Sequence, residues 1–308
     1  MKTLLRSTAV YRSIKEGGMA QSTLVVFEDA AYLRTLLKEC AKAFFGAEEN
    51  TRVARLIDSE SYLDCKILPP EGGKLTAETV SALPAESMLR PAEGNNKLYV
   101  LTAFESATPL VQNKLLKLLE EPPAGVYFLL GASSVHGVLP TVLSRMSRYT
   151  VPRFTAQEIA AALERNYAGR AGIRDAALGC GGIYSAAETL LAEGGDLALA
   201  EAFLTGGQTV AICREIGDKK RTSFFGALRL VLRDMLFYKT GRENYCTFKK
   251  ESHKKLAALY PVGAILFALD AVAQAEREIQ FNANVGQAAF NLALSLREER
   301  IKWKKLSS

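Results

Sequence analysis

The sequence has little of what several chemistries require. Its five cysteines, Cys40, Cys65, Cys180, Cys213 and Cys246, stand far apart, with no pair at the close spacing of a zinc knuckle or redox motif. They read as reduced, mostly buried thiols. Two histidines, His136 and His253, leave scant material for a metal site or a Ser-His-Asp relay. No apolar run approaches the roughly 18 residues of a membrane-spanning helix. Lys2, Arg6, Arg12 and Lys15, scattered through the opening segment, exclude the apolar centre of a secretory signal. A cytoplasmic protein without metal, cofactor or membrane contact is expected. Internal repeats and low-complexity tracts are absent too.

What is present is an ordinary globular composition over 308 residues, 48% hydrophobic and 23% charged, long enough for two or three domains. The net charge of +6 is unevenly laid down: residues 1–155 carry about +2, 156–206 about −4 and 207–308 about +8. Lys249, Lys250, Lys254, Lys255, Lys302, Lys304 and Lys305 make the last third the basic part, open to phosphate contact or simply to solvent.

Up to about residue 155, short β-branched runs (24–27, 97–101, 126–130) alternate with helical stretches (34–45, 110–120, 138–145). That alternation predicts a parallel sheet covered on both faces, an α/β domain over 1–155. At Thr155 a capping-box pattern with Glu158 opens a helix, and Gly179, Gly181 and Gly182 interrupt a small helical domain over 156–206. Beyond Gly206-Gly207 the stripe Phe224, Phe225, Leu228, Val231, Leu232, Met235 and Leu236 predicts the core of an all-helical domain over 207–308.

The stretch 97–154 is the most informative. Thr108 and Pro109 read as N-cap and first-turn proline, and Leu115, Leu116, Leu118 and Leu119 as the inward face of a helix ending before Pro122-Pro123. A short helix over 138–143 then brings Ser144 and Arg145 to an exposed end, near Arg148.

Three motifs here resemble the clamp-loader branch of the AAA+ superfamily, to which the bacterial DNA polymerase III gamma/tau and delta-prime subunits belong. They are the strand and turn at 97–105 in the Walker B position, QNKLLKLLEEPP at 112–123, and LPTVLSR at 139–145, where the family carries Ser-Arg-Cys. The resemblance is weaker over 22–45 and 61–96 and returns at 277–296. It implies an AAA+-like α/β domain, a helical lid and a helical collar. It also implies gamma/tau and delta subunits as partners, with the sliding clamp reached indirectly and primer-template DNA met within the complex. The family's helix before its first strand implies that residues 1–18 belong to the fold.

A phosphate loop needs glycines for close backbone approach, a lysine for charge and a hydroxyl for magnesium. At the matching positions, 28–35, this chain reads EDAAYLRT: Glu28 and Leu33 replace both glycines, and only Arg34 and Thr35 echo the Lys-Thr pair. The family's Walker B Asp-Glu is Thr102-Ala103 here, with Glu105 on the wrong side of the turn to substitute directly. The arginine that active members place after the lid glycine is missing from the segment at 182–186, GIYSA, and the family's four-cysteine zinc module is reduced to Cys65. A degenerate nucleotide site without ATPase activity is expected.

Ser144-Arg145 persists, with Met146 at the cysteine position. In the family this arginine enters a neighbour's ATP site, so Arg145 is expected to act in trans. A helix-terminal cation is the plainer reading of Arg145. Two other readings stand beside this one: an active AAA+ ATPase whose Arg34 and Thr35 bind nucleotide, and a DNA-binding adaptor acting through the basic last third.

Overall fold

Three central apolar runs form the middle of one sheet, and their near-continuous burial is what a sheet covered on both faces demands. The computed structural model describes residues 1–306 other than 171, 193–195, 207–208, 220, 249 and 281–282, and no side chain at 192, 280, 300, 301 or 303–306. Gly207 and Lys249, and the side chains of Lys304 and Lys305, therefore lie outside the described residues.

Strands β1 (Ser22–Val26), β2 (Cys65–Leu68), β3 (Lys97–Leu101), β4 (Val126–Ala132) and β5 (Ser147–Thr150) pair in the order β2-β3-β4-β1-β5, every pair parallel. This is the expected parallel α/β sheet. All of β1 is buried, whereas the edge strand β5 is mostly exposed. In the register, Val26 lies beside Ala132, so the loops leaving β1 and β4 emerge together at the carboxyl ends of the strands. Loops in that position carry the sites of open α/β sheets.

The chain packs as two compact units, residues 1–168 with 182–185, and 169–181 with 186–308. In the first unit the sheet is joined by α1 (Lys2–Arg6), α2 (Ala9–Lys15), α3 (Ala30–Phe44), α4 (Arg52–Asp58), α5 (Leu83–Ser87), α6 (Pro109–Glu120), α7 (Pro140–Leu143) and α8 (Ala156–Asn166). Helix α8 begins in the expected capping box between Thr155 and Glu158 and belongs to this unit. Helix α3 buries Leu33, Leu36, Leu37, Cys40 and Ala41, one face at helical spacing. It comes so close to β4 that a Cβ on Gly131 would lie 2.4 Å from Leu37 Cδ1 and 3.1 Å from Leu33 Cδ1. All five cysteines are buried thiols, and burial pushes the Cys65 thiol up to about 12.

The second unit contains α9 (Ile173–Gly179), most of α10 (Tyr184–Ala192), α11 (Asp196–Thr205), α12 (Thr209–Asp218), α13 (Ser223–Lys239), α14 (Glu251–Leu259), α15 (Val262–Gln280) and α16 (Val285–Leu306). The α13 stripe is fully buried from Phe224 to Met235, with Leu236 packed at its margin. One polar cluster sits in this apolar setting. The Asp234 carboxylate accepts the N–H groups of Thr247 (2.7 Å) and Phe248 (2.9 Å), and His253 lies between Asp234 (3.2 Å) and Glu201 (3.1 Å). Asp234 and His253 are both wholly buried. His253 is thus a core histidine that ties α14 to α13 and α11. Among the described residues no single helix is long and apolar enough to cross a membrane; a bent pair, Glu251–Leu259 with Val262–Ile279, reaches that length and composition only together.

Candidate functional site

The loop after β1 carries two of the residues expected in a degenerate phosphate-binding loop. Glu28 forms an ion pair with Arg153 (2.7 Å). Asp29, only 2% exposed, stands at the N-cap position of α3 without capping it, and its Oδ2 instead accepts the Ser185 N–H (2.9 Å) in the first turn of α10. A carboxylate there meets the positive end of a helix dipole. Its other oxygen, Oδ1, is buried without a hydrogen bond. Leu33 is a core residue beside Gly131, and Thr35 lies half-buried on α3.

Arg34 is the centre of the arrangement. Its guanidinium holds both oxygens of Glu60, Nε to Oε1 at 2.7 Å and a terminal nitrogen to Oε2 at 2.5 Å. Its remaining terminal nitrogen donates to Pro69 O (3.0 Å) and to Thr102 Oγ1 (3.1 Å). Residues expected from two separate motifs, Arg34 and Thr102, are therefore brought into contact. Lys38 adds a second cation to Glu60 at 2.8 Å. Glu60 makes these contacts from a left-handed backbone, φ 58°, a conformation uncommon outside glycine that the surroundings must enforce.

Sequence reasoning missed Glu60 and Lys38, and no spacing signal marks them, because the partnership spans 26 residues between α3 and the loop after α4. Four hydrogen bonds commit the Arg34 guanidinium to the chain itself, and Glu28 and Asp29 add carboxylates, so this set does not fit a triphosphate.

Arg34, foremost, and Lys38 hold the Glu60 carboxyl below the ordinary carboxylate range against the opposing effect of burial. A folded pKa below the unfolded one means stability that is present above the usual carboxylate pKa near ~4.3 and is lost as pH falls through the folded value. Glu60→Gln is expected to cost about 1.5–3 kcal/mol at pH 7, with the gap to the native protein closing under acid. Urea midpoints at pH 7 and pH 3 check this; an equal gap at both would mean the ion pair is not its source.

Ala103, at the second Walker B position, is exposed and left-handed (φ 51°, ψ 43°), opening a 3-10 turn. Glu105 faces the end of β4, where its Oε1 accepts Ser133 N–H (3.0 Å) and Oγ (2.5 Å). It therefore holds a loop in place.

Arg145 follows α7 on the surface. One terminal nitrogen donates to Thr141 O (2.9 Å) and to Ser144 Oγ (3.3 Å), and Nε pairs with Glu120 at 3.1 Å. In the chain by itself Arg145 thus fulfils the role of a helix-end cation, and 37% of its side chain faces solvent. Met146 is buried in the core. Arg148, on the exposed edge strand, faces solvent.

Several lysines of the basic last third meet carboxylates: Lys250 with Asp175 (3.5 Å) and Glu201 (3.8 Å), Lys254 with Glu243 (3.6 Å), Lys302 with Glu299 (3.3 Å).

Comparison with known proteins bears on the first unit. Residues 6–155 match the family described as "DNA polymerase III, delta subunit". The chain is 32% identical over 111 residues to DNA polymerase III subunit delta' of Bacillus subtilis (strain 168), covering 34% of each protein. To subunit delta' of Yersinia pestis it is 36% identical over 93 residues, 30% of this chain and 27% of that one. Among solved structures, a DNA polymerase III gamma subunit-related protein of Thermotoga maritima aligns over 97% of this chain and 99% of its own, at 18% identity and a TM-score of 0.47. The matched regions span about a third or less of the length of these two curated relatives.

Proposed function

We propose that this chain, delta-prime-like over residues 6–155, is a non-catalytic clamp-loader subunit that assembles with gamma/tau and delta and lends Arg145 to a neighbour's ATP site. A guanidinium entering from outside stabilises the charge that develops on a transferring phosphoryl group, and its planar fork suits that task better than an ammonium. The observation that carries this reading is the contrast between the two arginines. Arg34, at the lysine position of the phosphate loop, is consumed by Glu60, Pro69 and Thr102, whereas Arg145 stands on the surface with only exposed partners.

In this reading Leu33, Arg34 and Thr102 help hold the domain together, and none of the degenerate-site residues, Glu28, Leu33, Arg34, Thr35, Thr102 and Ala103, binds nucleotide. Residues 156–206 form a lid and 207–308 a collar that joins the other subunits. The assembly works in the cytoplasm, opening a sliding clamp onto primer-template DNA. Titration calorimetry of the purified chain with Mg-ATP is expected to give no binding heat. Micromolar affinity would overturn the dead-site reading and revive an active ATPase using Arg34 and Thr35. Co-purification with gamma/tau and delta tests the partnership directly.

A further inference from the structure

We infer that Asp29 is a built-in anion that latches the strap 182–185 onto the loop after β1, closing that loop with no help from a phosphate; this rests on the reading above that residues 28–35 bind no nucleotide. The four residues 182–185 pack with the first unit, although the chain on either side of them belongs to the second. Asp29 stands at the N-cap position of α3, where an aspartate side chain ordinarily accepts a first-turn N–H of its own helix. Its carboxylate makes no such bond and accepts instead the Ser185 N–H, 156 residues further along the chain. Helix α10 needs an acceptor from elsewhere. Ile183, the residue before its first turn, has no side-chain oxygen, and the first N–H groups of a helix have no partner within it. Those N–H groups, with the helix dipole behind them, make a helix start a ready anion site. Here a carboxylate of the chain itself fills that site.

The rest of the strap brings Ser185 to that carboxylate. Phe154 N–H donates to Gly182 O (3.1 Å). Gly182 has φ 86°, and a Cβ there would lie 2.7 Å from Arg153 Cβ and 2.8 Å from Phe154 O, so glycine is what lets the strap run this close. Tyr184 is wholly buried; its ring meets Tyr32 of α3 edge-on at 5.3 Å, and its hydroxyl accepts from Asn166 of α8 (2.8 Å). Two of these holds, Asp29 and Tyr32, come from the stretch 28–35. Asp29 Oδ1 is buried without a hydrogen bond, so among the described residues the carboxylate has one hydrogen-bonded partner, and that partner is the strap. A phosphate arriving at this loop would meet the charge of Asp29 and find the Ser185 N–H already taken. The latch is therefore both the closure of the loop and a barrier to any anionic ligand.

Amide hydrogen exchange of the full chain reads the latch at residues 184–186. Asp29→Ala is expected to lower the protection of the Ser185 amide roughly ten- to a hundredfold, while the amides of β1 and β4 keep theirs. Sodium formate matches the carboxylate removed and is expected to restore part of that protection in the variant. Sodium chloride at equal ionic strength is expected to restore none, and neither salt to alter the native chain; a purely steric role for Asp29 would show no such preference. Asp29→Asn keeps an acceptor of the same shape without the charge and is expected to fall between; should Asp29→Ala fail to fold, this variant carries the comparison with the native chain. Native protection in the variant, or a loss that formate restores no better than chloride does, overturns the inference and leaves the dead-site reading intact. Mg-ATP is expected to leave protection at 184–186 of the native chain unchanged; a change there would instead overturn the reading on which the inference rests.

Discussion

Replacing Arg145 with alanine in the reconstituted assembly is expected to slow hydrolysis at the site it faces by about a thousandfold, the low end of what a trans arginine supplies. The substitution removes only an exposed pair with Glu120 and two helix-end contacts, so folding stability is expected to change by no more than about 1 kcal/mol. Arg145→Lys is expected to resemble alanine more than arginine, since an ammonium cannot present the planar fork. The measurement is single-turnover ATP hydrolysis with primed DNA and clamp, alongside size-exclusion chromatography of the assembly. Full activity with intact assembly would leave Arg145 as nothing more than a cation at the end of α7.

The largest effect on stability is expected at Asp234. Its carboxylate lies in a fully buried position on α13 and holds the backbone of Thr247 and Phe248 together with His253. Asp234→Ala leaves a buried and a half-buried N–H group without their acceptor and the buried His253 ring without its partner, at a cost of about 3–5 kcal/mol. That is a large part of the ~5–15 kcal/mol that holds a domain folded. Asp234→Asn, which keeps a carbonyl oxygen, is expected to lose less. Burial, the largest single influence, pushes this carboxyl up, yet His253 and the two backbone N–H groups together hold it below the ordinary aspartate range. The stability it supplies is thus complete above the usual aspartate pKa of about 3.9 and drains away as pH falls through the folded value. Urea unfolding followed by far-UV circular dichroism reads this; a native-like midpoint for Asp234→Ala would sink it.

Much of the first unit was legible because its central strands are apolar and its helix ends carry explicit signals. Strand β3 begins and ends where the apolar run 97–101 does, and α6 stops at Glu120, ahead of Pro122. The two edge strands were not foreseen. β2 is four residues long, and β5, SRYT, is mostly exposed and carries almost no hydrophobic pattern, so only pairing with β1 reveals it. The candidate site was legible in its parts and hidden in its connections. Arg34 and Thr102 could each be picked out, but their contact bridges 68 residues of chain, and Glu60 belongs to no motif. Gln112 sits inside a motif whose periodic signal is its leucines. Its meaning lies in a loop 25 to 27 residues further on, which only the folded chain brings beside it.

The position of Leu33 governs how far this loop could be rebuilt. Anyone wishing to engineer nucleotide binding into the protein would begin by placing a glycine there, yet its side chain is buried against Gly131, with Cδ1 3.1 Å from where a Cβ on that glycine would lie. Leu33→Gly would hollow out that contact, at a cost of at least about 2–5 kcal/mol by analogy with leucine truncations, and would add the entropic penalty of glycine in a helix. It would do so while Arg34 still clasped Glu60. Building such a pocket by single substitutions therefore runs uphill at its first step, and a design would have to change residues 28, 33 and 60 together.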